Sequence, residues 1–178
     1  GHYDRFRERI IFPIYNLNKQ VIGFGGRVLD ASLPKYLNSP ETPVYHKSKS
    51  LYGLHLARNK CRETRTIYIV EGYFDLLALH QYGVENAGPT LGTALTTDHI
   101  HMIKGFAEKV ILVFDGDDAG IQASLRSVGI FIEKGMQARV MLLPKGHDPD
   151  SFIRKSGLEA FETVAAKSRS VITFIMES

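Results

Sequence analysis

KVILVFDGDDAG, residues 109–120, decides how this chain folds. Five consecutive apolar residues, two of them valine and one isoleucine, make a run too short for a helix and suited to a buried strand. Three carboxylates then fall within four positions, at Asp115, Asp117 and Asp118. Behind them, Ile121, Leu125, Val128 and Ile132 recur at helical spacing, predicting a helix over about 118–134 that stops at Gly135. A strand end crowded with negative charge repels itself unless a cation lies among the carboxylates.

The same alternation extends to both sides. TIYIV (66–70) is expected to be a buried strand, with a helix at 73–82 stopped by Gly83. VENAGPTL (84–91) is a weaker strand, a helix follows near 97–106, and ARVMLL (138–143) is the fourth strand. Short helices near 150–155 and 158–166 and a last apolar run complete this half. Strands alternating with helices of this length predict right-handed crossovers and an α/β fold with a mainly parallel sheet. Upstream, RIIFPIY (9–15) and VIGFGGRVL (21–29) flank a turn containing Asn16 and Asn18, a hairpin signal. Residues 32–50, rich in Pro, Ser and Lys, read as an ordered but irregular loop, and 51–61 as a short helix. The expected organisation is a smaller mixed α+β lobe over 1–65, an α/β core over 66–145 and a short helical tail over 146–178.

The chain has 178 residues, 44% of them apolar, enough for one substantial core. Its single cysteine, Cys61, excludes an internal disulfide and fits a reducing compartment. No apolar run approaches the length of a membrane span, so a cytoplasmic protein with no membrane partner is expected. The chain opens Gly-His-Tyr-Asp without a methionine, and an excised piece of a longer protein is expected on that ground. The net charge of +3 is unevenly spread. Residues 1–66 hold 12 Lys/Arg against 5 Asp/Glu, and residues 67–178 hold 10 against 14. A basic front joined to an acidic back suits a polyanion held beside a carboxylate centre, although ordinary surface variation gives the same imbalance.

In a parallel sheet, active sites collect outside the C-terminal strand ends. Glu71 ends the first core strand, Asp115 and Asp117 end the third, and Asp148 and Asp150 follow the fourth. Asp75 lies one helical turn after Glu71 and can face the same crevice. Oxygen ligands without His or Cys favour Mg²⁺, with Mn²⁺ as a substitute, over zinc. Pro149 is expected to hold Asp148 extended and keep Asp148 and Asp150 out of a helix. Simpler roles stand beside these: Asp118 as a helix cap, Asp150 as the cap of the next helix, and Asp75 as a charge favouring its own helix N-terminus. Glu71, Asp115 and Asp117 have no such alternative.

LGTALT (91–96), a Gly-Thr loop before a helix, offers N–H groups to an anion or is an ordinary capped turn. Arg27, Lys35, Tyr36, Asn38, Tyr45, Lys47 and Lys49 interleave cations with rings, a pattern suited to a single strand or to a solvated loop.

Taken together, EGYFD, DGDDAG and DPD resemble a Toprim domain, the metal-binding α/β module of primases, type IA and type II topoisomerases and some nucleases. RFRERIIFPIYN, VIGFGGRVL, PKYLNSPET, HKSKSLYGL and LGTALT are similar to the RNA polymerase domain of bacterial DnaG-type primases, and the similarity covers nearly the whole chain. The resemblance implies a Toprim-type sheet behind part of a template-side lobe. It implies synthesis of short RNA primers from ribonucleoside triphosphates on a single-stranded DNA template by metal-dependent nucleotidyl transfer. Glu71, Asp115 and Asp117 then match the metal-centre acids, with Asp75, Asp148 and Asp150 beside them. Arg27, Lys35, Tyr36, Asn38 and Lys47 match positions near template and nucleotide, Lys35 and Lys47 also neutralising charge during transfer. Phe74 stands where the motif usually has Met, and GPTLGTALT carries Pro-Thr where small residues are usual. A zinc-binding N-terminal domain and a C-terminal domain that binds the replicative helicase are implied outside these residues. A Toprim nuclease or topoisomerase fragment, or a single-stranded DNA-binding module without catalysis, are the alternatives.

Overall fold

The computed structural model describes residues 3–90, 94–115 and 129–177. The chain opens with a three-stranded antiparallel sheet, β1 (Arg9–Tyr15), β2 (Val21–Val28) and β3 (Tyr36–Asn38), in that spatial order. The β1–β2 turn is closed by Asn16, whose Oδ1 accepts from the N–H of Asn18 at 2.9 Å and of Gln20 at 3.0 Å. This is the local hydrogen bonding that suits Asn to turns. β3 corrects the expectation of an irregular loop over 32–50. The strand exists through its partner, with Tyr36, Leu37 and Asn38 pairing with Arg27, Gly26 and Gly25 of β2.

A 3₁₀ turn (Lys47–Lys49) leads to α1 (Leu54–Thr64), which begins three residues later than the sequence predicts, after Gly53 at φ 72°. The core follows as β4 (Thr66–Val70), α2 (Tyr73–Gln81), β5 (Ala87–Pro89), α3 (Thr97–Lys104), β6 (Lys109–Phe114) and β7 (Gln137–Leu142). Next come α4 (Pro149–Ala166), a two-residue β8 (Arg169–Ser170) and α5 (Val171–Met176). α4 is two helical pieces meeting at Gly157 (φ 78°), as the two predicted short helices require. The helix predicted over 118–134 falls largely outside the described residues, of which 129–133 are helical.

The core sheet runs β5-β4-β6-β7-β8, parallel through its first four strands and antiparallel at β8. Each central strand is apolar on both faces, as a sheet covered on both sides requires. Ile67, Ile69, Val110, Leu112, Phe114 and Val140 face a layer holding Leu54, Ala57 and Cys61 of α1 and Ile100 and Ile103 of α3. Val70, Ile111, Val113 and Met141 face Leu76 and Leu79 of α2 and Phe152, Ile153 and Phe161 of α4. Burial pushes the Cys61 thiol up to about 12, so it packs as a small apolar group. No helix among the described residues is long and apolar enough to cross a membrane.

Candidate metal and phosphate site

The β4–α2 connection leaves the sheet toward β5 and the β6 connection leaves toward β7, so their C-terminal ends bound a topological switch point. The register pairs Ile69 with Leu112. Glu71, two residues beyond Ile69, and Asp115, three beyond Leu112, therefore leave neighbouring parallel strands at nearly one level. Both line a cleft of about 380 Å³, together with Asp75, Asp148 and Asp150, with Arg27 and Tyr36 of the small sheet, and with Lys35 just before β3. Asp117 and Asp118 lie outside the described residues.

Asp75 is the most constrained of these acids. Its Oδ2 accepts the Gly72 N–H at 2.9 Å, closing the first turn of α2, and its Oδ1 accepts the Asp150 N–H at 3.4 Å. Burial, opposed by the Gly72 hydrogen bond and reinforced by the Asp148 and Asp115 charges, raises its pKa to about 6. Its helix-terminal role and its place in the cleft are thus both present.

Asp148, not Asp150, caps α4. It is extended (φ −92°, ψ 170°), and its Oδ1 accepts the Ser151 N–H at 2.8 Å while Ser151 Oγ accepts the Asp148 N–H at 3.1 Å. Burial alone would raise its pKa, but the Ser151 hydroxyl and amide outweigh it and hold the carboxyl below the usual range. Pro149 is the first helical residue, so Asp150 lies inside the first turn, where it pairs with Arg154. The expectation that Pro149 keeps both acids out of a helix is therefore corrected for Asp150. Proline at this position starts a helix, because its missing N–H would be unpaired there anyway.

Across the cleft, Arg27 and Tyr36 are directly opposed on β2 and β3, and the Arg27 guanidinium lies 5.4 Å from the Tyr36 ring centre. Lys35 Nζ lies 5.8 Å from the same ring. Burial lifts the Tyr36 hydroxyl above its ordinary value, Arg27 pulls it back, and Asp75, Asp148 and Asp150 add to the rise. Asn38 and Lys47 do not line the cleft. Asn38 Oδ1 accepts from the Tyr73 hydroxyl at 2.9 Å. Lys47 sits in the 3₁₀ turn, its N–H donating to Glu41 Oε1 at 3.0 Å and its carbonyl accepting from His99 Nε2 at 2.9 Å.

Two positions escaped the sequence reading. Tyr73, only 1% exposed, stacks on Phe12 at 4.4 Å and reaches under β2, where a Cβ on Gly25 would lie 1.9 Å from its hydroxyl oxygen. The GFGG run is the signal: a glycine inside a strand marks a close approach of another group. His99 is fully buried on α3, with Nδ1 accepting the Thr96 N–H at 3.3 Å and Nε2 donating to Lys47. Thr96 caps α3, and its hydroxyl donates to the Ser48 carbonyl at 2.6 Å. Of LGTALT, residues 91–93 lie outside the described residues.

The donor set fits a hard divalent cation. It consists of carboxylates without His or Cys, and the Asp148 and Asp115 charges add to the burial that raises Asp75. Among the described residues no ready-made cluster of three ligands is present.

Two family models match the chain, the DNA primase catalytic core N-terminal domain over residues 1–58 and a Toprim-like domain over 68–153. The DNA primase of Clostridium acetobutylicum is 49% identical over 173 residues, covering 97% of this chain and 29% of that protein. The chain belongs to the bacterial DnaG-type primase family. Among solved structures, a DNA primase domain from Pseudomonas aeruginosa superposes with a TM-score of 0.92 at 43% identity, covering 98% of this chain and 56% of that one. A DnaG primase catalytic domain solved bound to ssDNA gives 0.91 at 45% identity, covering 98% and 57%. The mostly parallel sheet with its small antiparallel companion is the fold of these primase cores. The chain thus spans under a third of that curated relative's length.

Proposed function

We propose that these residues form the nucleotidyl-transfer centre of a DNA primase that extends short RNA primers on single-stranded DNA from ribonucleoside triphosphates. One observation carries the proposal: Glu71 and Asp115 stand at the switch point of a parallel sheet, in one cleft with Arg27. Carboxylates facing a guanidinium across such a cleft suit a phosphate held between metal and cation. Mg²⁺, or Mn²⁺ in its place, would neutralise phosphate charge during nucleotidyl transfer when bound. Glu71 and Asp115 are its proposed ligands, with Asp117 beside them. Asp75 ties the turn after β4 to the start of α4 and so sets the spacing between Glu71 and the Asp148–Asp150 pair. Arg27 and Lys35 face the triphosphate or template phosphates, and Tyr36, 39% exposed, offers its ring to a base. Lys47 and Asn38 act from outside the cleft, Lys47 on the phosphate backbone and Asn38 by holding Tyr73.

In this proposal residues 1–65 belong to the template-side lobe, 66–145 to the metal-binding core and 146–178 to the acidic motif and helical region. The replicative helicase and zinc engage parts of the protein outside these residues. The test is primer synthesis by the full-length protein carrying Asp115→Ala, with Mn²⁺ titration alongside. A loss of at least about 100-fold, with weakened Mn²⁺ binding, is expected for a metal ligand. Activity near wild type would overturn the proposal.

A further inference from the structure

Arg27 carries a positive charge in a cleft with Asp75, Asp148 and Asp150, yet among the described residues it forms an ion pair with none of these three. Its guanidinium instead lies 4.2 Å from the centre of the Phe74 ring and 5.4 Å from that of Tyr36. The Tyr36 contact is a neighbourly one, between cross-strand partners of the same small sheet. The Phe74 contact is different, because Phe74 is the second residue of α2, on the opposite wall of the cleft.

Phe74 is itself held in place. Its ring meets Phe12 edge-to-face, at 5.8 Å and 78°, and buried Phe12 stacks on Tyr73. This packing fixes one side of the Phe74 ring and leaves a face to the guanidinium. A ring face attracts a cation without consuming the N–H donors at the guanidinium edge. An arginine neutralised by a carboxylate would have spent those donors, whereas one held by rings keeps them for phosphate oxygens.

We propose that Phe74 is a positioning residue that holds Arg27 across the cleft, off the carboxylates and open to a phosphate group. The phosphate belongs to the single strand or to the nucleoside triphosphate. The inference rests on the phosphate-binding role of Arg27 proposed above.

The test is a double-mutant cycle in the full-length protein, combining Phe74→Leu with Arg27→Ala and adding Phe74→Tyr, which keeps the ring. Affinity is measured separately for a fluorescein-labelled single-stranded oligonucleotide without nucleotide and for Mg²⁺-ATP without DNA. Phe74→Leu should weaken one of the two by about 3- to 10-fold, the range of a partly desolvated cation–π contact. Phe74→Tyr should stay within about 2-fold of wild type, and Phe74→Leu should have no further effect once Arg27 is alanine. Coupling confined to the oligonucleotide arm assigns Arg27 to the strand, and coupling confined to the ATP arm assigns it to the triphosphate. Additive effects in both arms, or full affinity in Phe74→Leu, overturn the inference. These readouts need no primer synthesis, so loss of the catalytic proposal and loss of this one are separately visible. A melting temperature of Phe74→Leu within about 4 °C of wild type separates positioning from unfolding.

Discussion

Asp75 should make the fold less stable as pH rises through the acid range, the reverse of an ordinary salt-bridged carboxylate. Its folded pKa is about 6 against an ordinary 3.8, with burial the largest cause. Between these values the folded carboxyl keeps its proton while the unfolded one has lost it. The folded state then binds more protons, and unfolding free energy falls with pH. The cost is absent below the ordinary pKa and fully present above about pH 6, where it amounts to about 3 kcal/mol. Asp75→Asn removes that cost. The amide oxygen can still accept the Gly72 N–H, but the amide nitrogen cannot accept from Asp150, a loss of about 1 kcal/mol.

Urea unfolding of wild type and Asp75→Asn across the range therefore has a signed expectation. Near pH 8 the variant should be more stable by about 2 kcal/mol, and near pH 4 less stable by about 1 kcal/mol, with the curves crossing between. His55, His80 and His99 are held below their ordinary value, burial being the largest cause. The stability they contribute is present above about 6.5 and lost as pH falls, in both proteins, so it cancels in the difference. Millimolar Mg²⁺ near pH 8 should raise the wild type more than the variant and narrow the gap. Parallel curves, or a variant that is less stable at every pH, would refute the claim that this carboxylate is held ionised at a cost to the fold.

Two further outcomes concern how the walls of the cleft are joined. Gly25→Ala places a Cβ 1.9 Å from the Tyr73 hydroxyl oxygen and must displace a buried ring. A loss of about 2 kcal/mol in urea is expected, and a variant as stable as wild type would show that Tyr73 does not lock β2 to α2. His99→Ala removes the acceptor for the Thr96 N–H and the donor to the Lys47 carbonyl from a fully buried position. It should cost about 2–3 kcal/mol by thermal melting and raise amide exchange at Lys49, whose N–H closes the same turn.

Most of the core was legible because its strands are buried on both faces. TIYIV and KVILVF read as strands over the residues that form β4 and β6, since a continuous apolar run of five or six residues has few other uses. β3 was not, because YLN carries no periodic pattern, and its strand character comes from pairing with Gly25, Gly26 and Arg27. The acids followed from the strands, since a carboxylate just beyond a parallel strand must stand at the rim. The division of labour between Asp148 and Asp150 is not legible, because a proline can break a helix or start one, and Pro149 starts α4. Nor could spacing place Phe74 over Arg27, since that contact depends on which face of the small sheet meets α2.

The five described acids of the cleft are therefore not equivalent, and their hydrogen bonds say how they divide. Both Asp75 oxygens accept backbone N–H groups, one from the turn after β4 and one from the start of α4. Asp148 spends one oxygen on the Ser151 N–H, and Asp150 pairs with Arg154. Glu71 is exposed and accepts from no described residue, while Asp115 enters half-buried from the end of β6. A cation ligand needs lone pairs that folding has not already used, and Glu71 offers the most. Asp75 has the opposite character: its removal would disturb two backbone segments before it changed any ligand count. Repulsion among the described acids is thus met in part by the chain itself, through N–H donors at two helix starts that bind Asp75 and Asp148. Burial is the largest cause of the raised Asp75 pKa, so that shift reports the enclosure of the carboxyl first and the neighbouring Asp148 and Asp115 charges second.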